Sequence, residues 1–338
     1  MSSFADVNLL CNKRIKFVPD GGENLFLMGE IEININMNHN GKNNEKMNQI
    51  TMLGTGNATV SQIYNTCFVL QTSSTLMLVD AGGGNGILSQ LKKVNVQISD
   101  IHHLFVTHAH TDHVLGVIWV IRMVAQCKGY EGLLHVYGND KVMKVIKTII
   151  DMILAKKQLA KVAERVVFHQ LEDGDCFEVG DMKLECFDIQ STKEKQFGFR
   201  AELPGASEDN AASDDAPEDN ASVDNASVDN HAKPLVLACL GDEPYNEQNR
   251  RYIEGADWMM CEAFCLYADR DTFKPYEKCH STALDAGKLA AELGVKNLIL
   301  YHTEEKTLAT RKENYTREAA ENFKGRIFVP DDLEVIEL

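Results

Sequence analysis

Within six consecutive positions stand three histidines and an aspartate, His108, His110, Asp112 and His113. They follow the strand-like run His103 to Thr107 directly and precede Val114 to Ala125, which is apolar enough to be a buried helix. A lone histidine in an apolar run is ordinarily a satisfied core residue. Three of them with a carboxylate, where a strand hands over to a helix, have the spacing of a metal site. His108 and His110, two apart on an extended segment or tight turn, can aim both imidazoles at one ion. Asp112 and His113, at the adjacent helix start, can hold a second ion close by.

Around this segment the chain alternates between periods of two and of 3.6. Strand-like stretches run from Gln49 to Leu53, near Thr66 to Gln71 and from Leu76 to Asp80, followed by a glycine-rich loop at Gly82 to Gly86 and a helix through Leu88, Leu91 and Lys92. That loop lacks the GxGxxG spacing of a dinucleotide site. A strand Leu134 to Tyr137, a long amphipathic helix from about Asp140 to Lys157 and a strand Arg165 to Phe168 continue the pattern. The next strands, Cys176 to Val179, Lys183 to Ile189 and Phe197 to Leu203, read as antiparallel. Later come a strand Leu235 to Leu240, a helix near Asn246 to Ile253, a strand Trp258 to Glu262 and a helix Thr282 to Leu293 closed by Gly294. A strand Asn297 to Tyr301, a helix around Arg317 to Phe323 and a strand near Arg326 to Val329 complete the chain. Two β-rich halves, each followed by helices, predict an α/β chain folded as a four-layer αββα sandwich.

Two segments stand apart. Residues 1–46, with nine Asn and the alternation Ile31, Ile33, Ile35, Met37, form an atypical N-terminal extension, and Met47 is an alternative start; residues 47–338 form the main domain. Of the formal charge of −16, nine carboxylates fall between Ala201 and Ala232, where there is no Lys or Arg. With almost no large apolar residue, this stretch cannot offset its ordering entropy, so 204–232 reads as an acidic disordered insert. Such a balance argues against general nucleic-acid binding, which needs basic side chains. No apolar run is long enough for a membrane span and no signal-peptide pattern opens the chain, so it reads as cytoplasmic. Nine cysteines without a CxxC pair read as buried reduced thiols.

The motif HAHTDHVLG resembles the HxHxDHxxG of the metallo-β-lactamase superfamily, and the rest of the chain is similar to its ribonuclease Z branch. Leu53-Gly54-Thr55-Gly56-Asn57-Ala58 looks like that branch's LGTGSA opening, and Leu78-Val79-Asp80-Ala81-Gly82 like its strand-ending Asp-x-Gly. Leu240-Gly241-Asp242, Glu262-Ala263-Phe264, Cys279-His280-Ser281-Thr282 and Leu298 to His302 resemble its later motifs in the right order. The resemblance implies His108 and His110 on one zinc, Asp112, His113 and His302 on the other, and Asp242 between them. Gln190 stands where the branch has a further histidine; a carboxamide is a weak zinc ligand, so the first of two expected Zn²⁺ sites should be weakened. His169 and His231 are no obvious substitutes. Asp80 reads as a loop-ordering carboxylate.

The implied chemistry is hydrolysis of a phosphodiester by a metal-bound hydroxide. Asp112, His280 and Glu262 are the candidate catalytic residues, His280 as proton donor and Glu262 as its orienting carboxylate. Three readings follow: a ribonuclease Z-like nuclease, a phosphodiesterase or ester hydrolase for a small molecule, and a metal-impaired binding scaffold. The branch inserts its tRNA-gripping arm where this chain carries the acidic block. Partners are therefore a phosphodiester substrate, RNA or small, no membrane, and, by the branch's habit, a second copy in a homodimer.

Overall fold

The computed structural model describes residues 48–205 and 233–338. The expected extension 1–46 and nearly all of the acidic insert lie outside the described residues. The first sheet contains β1 (Gln49–Gly54), β2 (Cys67–Gln71), β3 (Leu76–Val79), β4 (His103–Phe105), β5 (Leu134–Gly138) and β6 (Val166–Gln170). The second contains β7 (Cys176–Val179), β8 (Met182–Asp188), β9 (Phe197–Leu203), β10 (Leu235–Cys239), β11 (Trp258–Glu262), β12 (Asn297–Tyr301) and β13 (Arg326–Phe328). The last strand, β14 (Val335–Glu337), returns to the first sheet beside β1, giving the orders β14-β1-β2-β3-β4-β5-β6 and β13-β12-β11-β10-β9-β8-β7. In each sheet four neighbouring strands are parallel, β3 to β6 and β10 to β13.

Strand alternation builds the layers. Phe68 and Leu70 of β2 point between the sheets with Met77, Phe105, Phe199, Trp258 and Tyr301. Cys67 and Val69 point the other way, against α1 (Gly86–Lys93), α2 (Thr111–Gln126), α3 (Asp140–Ile153) and α4 (Lys156–Arg165). On the far side, α5 (Arg250–Ile253), α7 (Ala283–Glu292) and α8 (Arg311–Ala319) cover the second sheet through Ile253, Ala286, Tyr315 and Ala319, while the short α6 (Arg270–Phe273) precedes the loop into α7. Three apolar interfaces between four layers make the αββα sandwich that the sequence predicts.

Three expectations change. The single helix Asp140 to Lys157 is two helices: Leu154 and Ala155 are extended, Leu154 is buried, and Gln158 Oε1 accepts from the Ala155 N–H at 2.9 Å to start α4. The helix placed at Arg317 to Phe323 instead runs from Arg311, because the Arg311 guanidinium is buried and donates to Thr303 Oγ1, the Pro330 carbonyl and Asp331. The cysteines are not uniformly buried: Cys176 is exposed and Cys127 and Cys279 are half-buried, though all eight in the described residues are free thiols.

Close approach of α2 to the loop after β3 sets up the site. A Cβ on Gly116 would lie 1.8 Å from the Ala81 carbonyl oxygen, and the Gly116 N–H donates to the Gly82 carbonyl at 2.8 Å. Gly116→Ala should therefore destabilise the chain by about 3 kcal/mol, the upper range for overpacking, read as a lowered urea midpoint. An unchanged midpoint would contradict this packing.

On β4 to β6, away from that loop, His103, His135, Tyr137 and His169 stack in a ladder, with His103–His135 ring centroids 5.5 Å apart and His135 Nδ1 2.9 Å from His169 Nε2. Burial, then the neighbouring imidazoles, pull the His103 pKa down to about 4. The unfolded chain takes up that proton near pH 6.5. Stability should thus be fully present above pH 6.5 and fall as pH drops toward 4. Denaturation series at pH 7 and pH 5 check this, and His103→Gln should flatten the difference.

Candidate metal centre

The site lies where the parallel strands of both sheets end, the usual position for ligands in such sheets. The first sheet contributes Asp80 after β3 and the His108–His113 turn after β4. The second contributes Asp242 after β10 and His302 after β12. Asp80 (φ 55°) and His302 (φ 60°) are both held in the left-handed region, a local strain tolerated where side-chain aim matters. His110 is extended at the start of α2 (φ −65°, ψ 152°), which lets His108 and His110 converge while Asp112 and His113 occupy the first turn.

Two donor groups result: His108, His110 and Asp242, and Asp112, His113 and His302, with the donor atoms of each within 4.8 Å of one another. Asp242 Oδ2 lies 3.5 Å from His108 Nε2, 3.3 Å from His113 Nε2 and 3.6 Å from His302 Nε2, so this carboxylate stands between the groups. His113 Nε2 is also 3.3 Å from Asp112 Oδ2. All are buried except His110, whose side chain is 38% exposed.

Whether this donor set fits metal ions is answered by what the opposite ends of the side chains do. His113 Nδ1 meets Asp80 Oδ2 at 2.8 Å, and Asp80 also accepts from the Thr107 N–H and hydroxyl at 2.8 Å. His302 Nδ1 is 3.2 Å from Thr66 Oγ1, and His108 Nδ1 is 2.9 Å from Thr107 Oγ1 and 3.0 Å from Gln196 Nε2. His110 Nε2 faces Glu194 Oε2 at 3.6 Å, and Asp242 Oδ1 accepts from Gln196 Nε2. With each outer atom partnered, the inner atoms face one another: His108 Nε2 lies 2.8 Å from His110 Nδ1, and His113 Nε2 is buried with no hydrogen-bond partner. Imidazoles fixed from behind by carboxylates and hydroxyls are a metal-ligand arrangement, and these residues fit divalent ions.

Electrostatics agree. Burial drives the His108 pKa well down and takes His302 to about 4, keeping both imidazoles neutral ligands at pH 7. Burial opposes charge on His113 too, but Asp80, then Asp112 and Asp242, outweigh it and hold its pKa well above the ordinary value. Burial also opposes ionisation of Asp112 and Asp242; the His113 hydrogen bond for the first, and His108 foremost for the second, nevertheless hold them below the usual carboxylate range.

Beside the second group, the His280 ring lies 5.4 Å from that of His302 and stacks on Phe264 at 4.9 Å. Its Nδ1 is 3.6 Å from Glu262 Oε2. Glu262 is fully buried, accepts from the Ser281 N–H at 2.5 Å and hydroxyl at 2.7 Å, and has its pKa raised by burial.

Gln190 is a correction. It is exposed, left-handed (φ 62°), and bonded through its N–H to Asp188 Oδ1, whereas the ligand side chains other than His110 are buried. The residues from that loop that reach the histidines are Glu194 and Gln196. Thr66 is a further supporting residue without a sequence signal, since hydroxyl, amide and carboxylate side chains in irregular loops leave no periodic trace. His169 sits in the imidazole ladder, and His231 lies outside the described residues. Asp80→Asn should lower zinc affinity by about 10- to 100-fold, measured by competition with a chromogenic chelator; wild-type affinity would mean that His113 needs no carboxylate behind it.

Sandwich and paired donor groups together are those of a metallo-β-lactamase fold chain, and the sequence is similar to the ribonuclease Z branch of that superfamily. It is 24% identical over 275 residues to a Ribonuclease Z of Bradyrhizobium diazoefficiens, covering 75% of this chain and 88% of that protein. Among solved structures, it resembles the metallo-β-lactamase fold protein YhfI of Bacillus subtilis (TM-score 0.62, 18% identity, 86% of this chain and 99% of that one). It also resembles human tRNase Z, short form (TM-score 0.61, 19% identity, 85% and 98%). The chain belongs to the family described as Anti-Pycsar protein Apyc1, whose model matches residues 48–220.

Proposed function

We propose that this chain is a zinc-dependent phosphodiesterase acting on a small phosphodiester. The observation that carries this reading is the pair of donor groups sharing Asp242, with a carboxylate-backed histidine, His280, at their edge. His108, His110 and Asp242 would hold one ion and Asp112, His113 and His302 the other, a nitrogen and oxygen set suited to zinc. Bound there, two zinc ions would supply Lewis acidity toward the phosphoryl oxygens and make water acidic enough to attack near neutral pH.

The chain's own residues do the rest. Asp80, Thr66, Thr107, Gln196 and Glu194 fix the ligand side chains, so little reorganisation is needed during reaction. His280, restrained between Phe264 and Glu262, donates a proton to the oxygen that leaves phosphorus. A small substrate is favoured over RNA by the insert between β9 and β10. Its eight carboxylates, set against the single Lys233, would repel a polynucleotide backbone where the branch has its gripping arm. Curated relatives named Ribonuclease Z support phosphodiester chemistry in general.

A side-by-side assay of zinc-supplied protein tests the reading. Turnover of bis-p-nitrophenyl phosphate and of a cyclic nucleotide is expected, lost on chelation and restored by zinc, with precursor tRNA left intact. Efficient trimming of tRNA would reverse the choice of substrate, and no turnover of any of them would end the phosphodiesterase reading.

A further inference from the structure

Apart from the metal centre, β4, β5 and β6 bring three imidazoles side by side, those of His103, His135 and His169. Parallel register sets the grouping: His103 pairs with His135 across β4 and β5, and His169 pairs with Tyr137 across β5 and β6. Residues two apart on a strand share a face, so His135 stands with Tyr137 and His103 with Phe105. That face is turned to the second sheet, where Phe177 of β7 stacks on Tyr137 at 4.9 Å. β6 is the outermost strand of its sheet, and all three histidines are only half-buried, so ions in solution can reach them.

His135 and His169 differ from the rest of the ladder in how they meet. Their ring centroids are 5.1 Å apart while His135 Nδ1 and His169 Nε2 are 2.9 Å apart, so the rings approach edge to edge, nitrogen to nitrogen. The spacing repeats that of His108 Nε2 and His110 Nδ1 in the metal centre, 2.8 Å. Only one proton fits between two such nitrogens. A divalent ion can take its place: with bonds of about 2.0–2.1 Å at a tetrahedral angle, the nitrogens need part only to about 3.3 Å. Burial, and then His135, lower the pKa of His169, which keeps its imidazole neutral at pH 7 and able to ligate. The His103 ring lies against His135 at 5.5 Å and the Tyr137 ring against His169 at 4.6 Å, so both ligand rings are held before any ion arrives. Among the described residues no third histidine, cysteine or carboxylate joins the pair in a common donor group, so water would fill the remaining positions.

We propose that His135 and His169 form a further divalent transition-metal site, separate from the paired donor groups, in which one ion ties the edge strand β6 to β5. An all-imidazole pair suits zinc, nickel or copper and not magnesium or calcium, which take oxygen ligands. Neither histidine belongs to the donor groups around Asp242, so the site stands or falls independently of the phosphodiesterase reading.

Zinc counted by mass spectrometry after equilibrium dialysis of the full chain tests the site. The unmodified chain should hold about one ion more than His135→Gln or His169→Gln, with the circular dichroism of all three alike. A second measurement needs no variant: on the unmodified chain, zinc at ten times the dissociation constant of the site should slow diethyl pyrocarbonate modification of His135 and His169 about tenfold, and leave His102 at its own rate. Equal zinc counts in folded variants, or modification of His135 and His169 at rates that zinc does not change, would overturn the site.

Discussion

Asp242→Asn is expected to reduce phosphodiester hydrolysis at least about a thousandfold and to leave fewer than two zinc ions per chain. The carboxylate oxygen Oδ2 is within 3.6 Å of three imidazole Nε2 atoms drawn from both donor groups, and among the described residues no other side chain does this. Asparagine keeps the shape but removes the negative charge. Gln196 already donates to Oδ1, so the new amide group must turn its NH₂ toward the histidine nitrogens or lose the Gln196 bond. Losing that carboxylate would weaken the hold on the ions and forfeit several kcal/mol of the charge stabilisation they would supply at phosphorus, each factor of ten corresponding to about 1.4 kcal/mol. Metal analysis by mass spectrometry and the chromogenic assay measure the two effects. Two zinc ions and less than a tenfold loss would remove Asp242 from the centre.

His280→Ala should depend on the leaving group. For an alkyl or ribose oxygen, which must be protonated as it departs, the loss should be about 10²- to 10⁴-fold; for p-nitrophenolate, which leaves unprotonated, it should be far smaller. Glu262→Gln should follow the same split in weaker form, because Glu262 meets His280 at 3.6 Å and acts through it. Equal losses on both substrates would make His280 a packing residue on Phe264 and not a proton donor.

Much of this arrangement is legible in the sequence because it is periodic or contiguous. His108 to His113 declare the ligands, and the strand before them and the helix after them place those ligands at a sheet end. Asp242 and His302 are found only through strand order and resemblance, since 60 positions separate Tyr301 from Gly241, whose carbonyl accepts from the Tyr301 hydroxyl. Gln190 misleads because the loop between β8 and β9 has no period to fix its register. Counting back from β9 cannot reveal that Glu194 and Gln196 turn inward while Gln190 turns out. The break between α3 and α4 is hidden for a related reason. Ile149 to Leu154, apolar apart from Asp151 and without Gly or Pro, reads as continuing helix, and only the burial of Leu154 in an extended conformation ends it.

The division of the donor set between the two sheets bears on folding order. His108 to His113 come from one half of the sandwich and Asp242 and His302 from the other, with the Phe105, Phe199, Tyr301 layer between them. Neither half can assemble either donor group's full environment alone, since His302 needs Thr66 across the interface and His108 needs Gln196. A complete metal site would therefore form only once the halves dock, and an ion that bound only the docked state would hold them together by mass action, about 2.7 kcal/mol at a hundred times its dissociation constant. For this chain, a retained metal would serve as a record that the two halves have met in register.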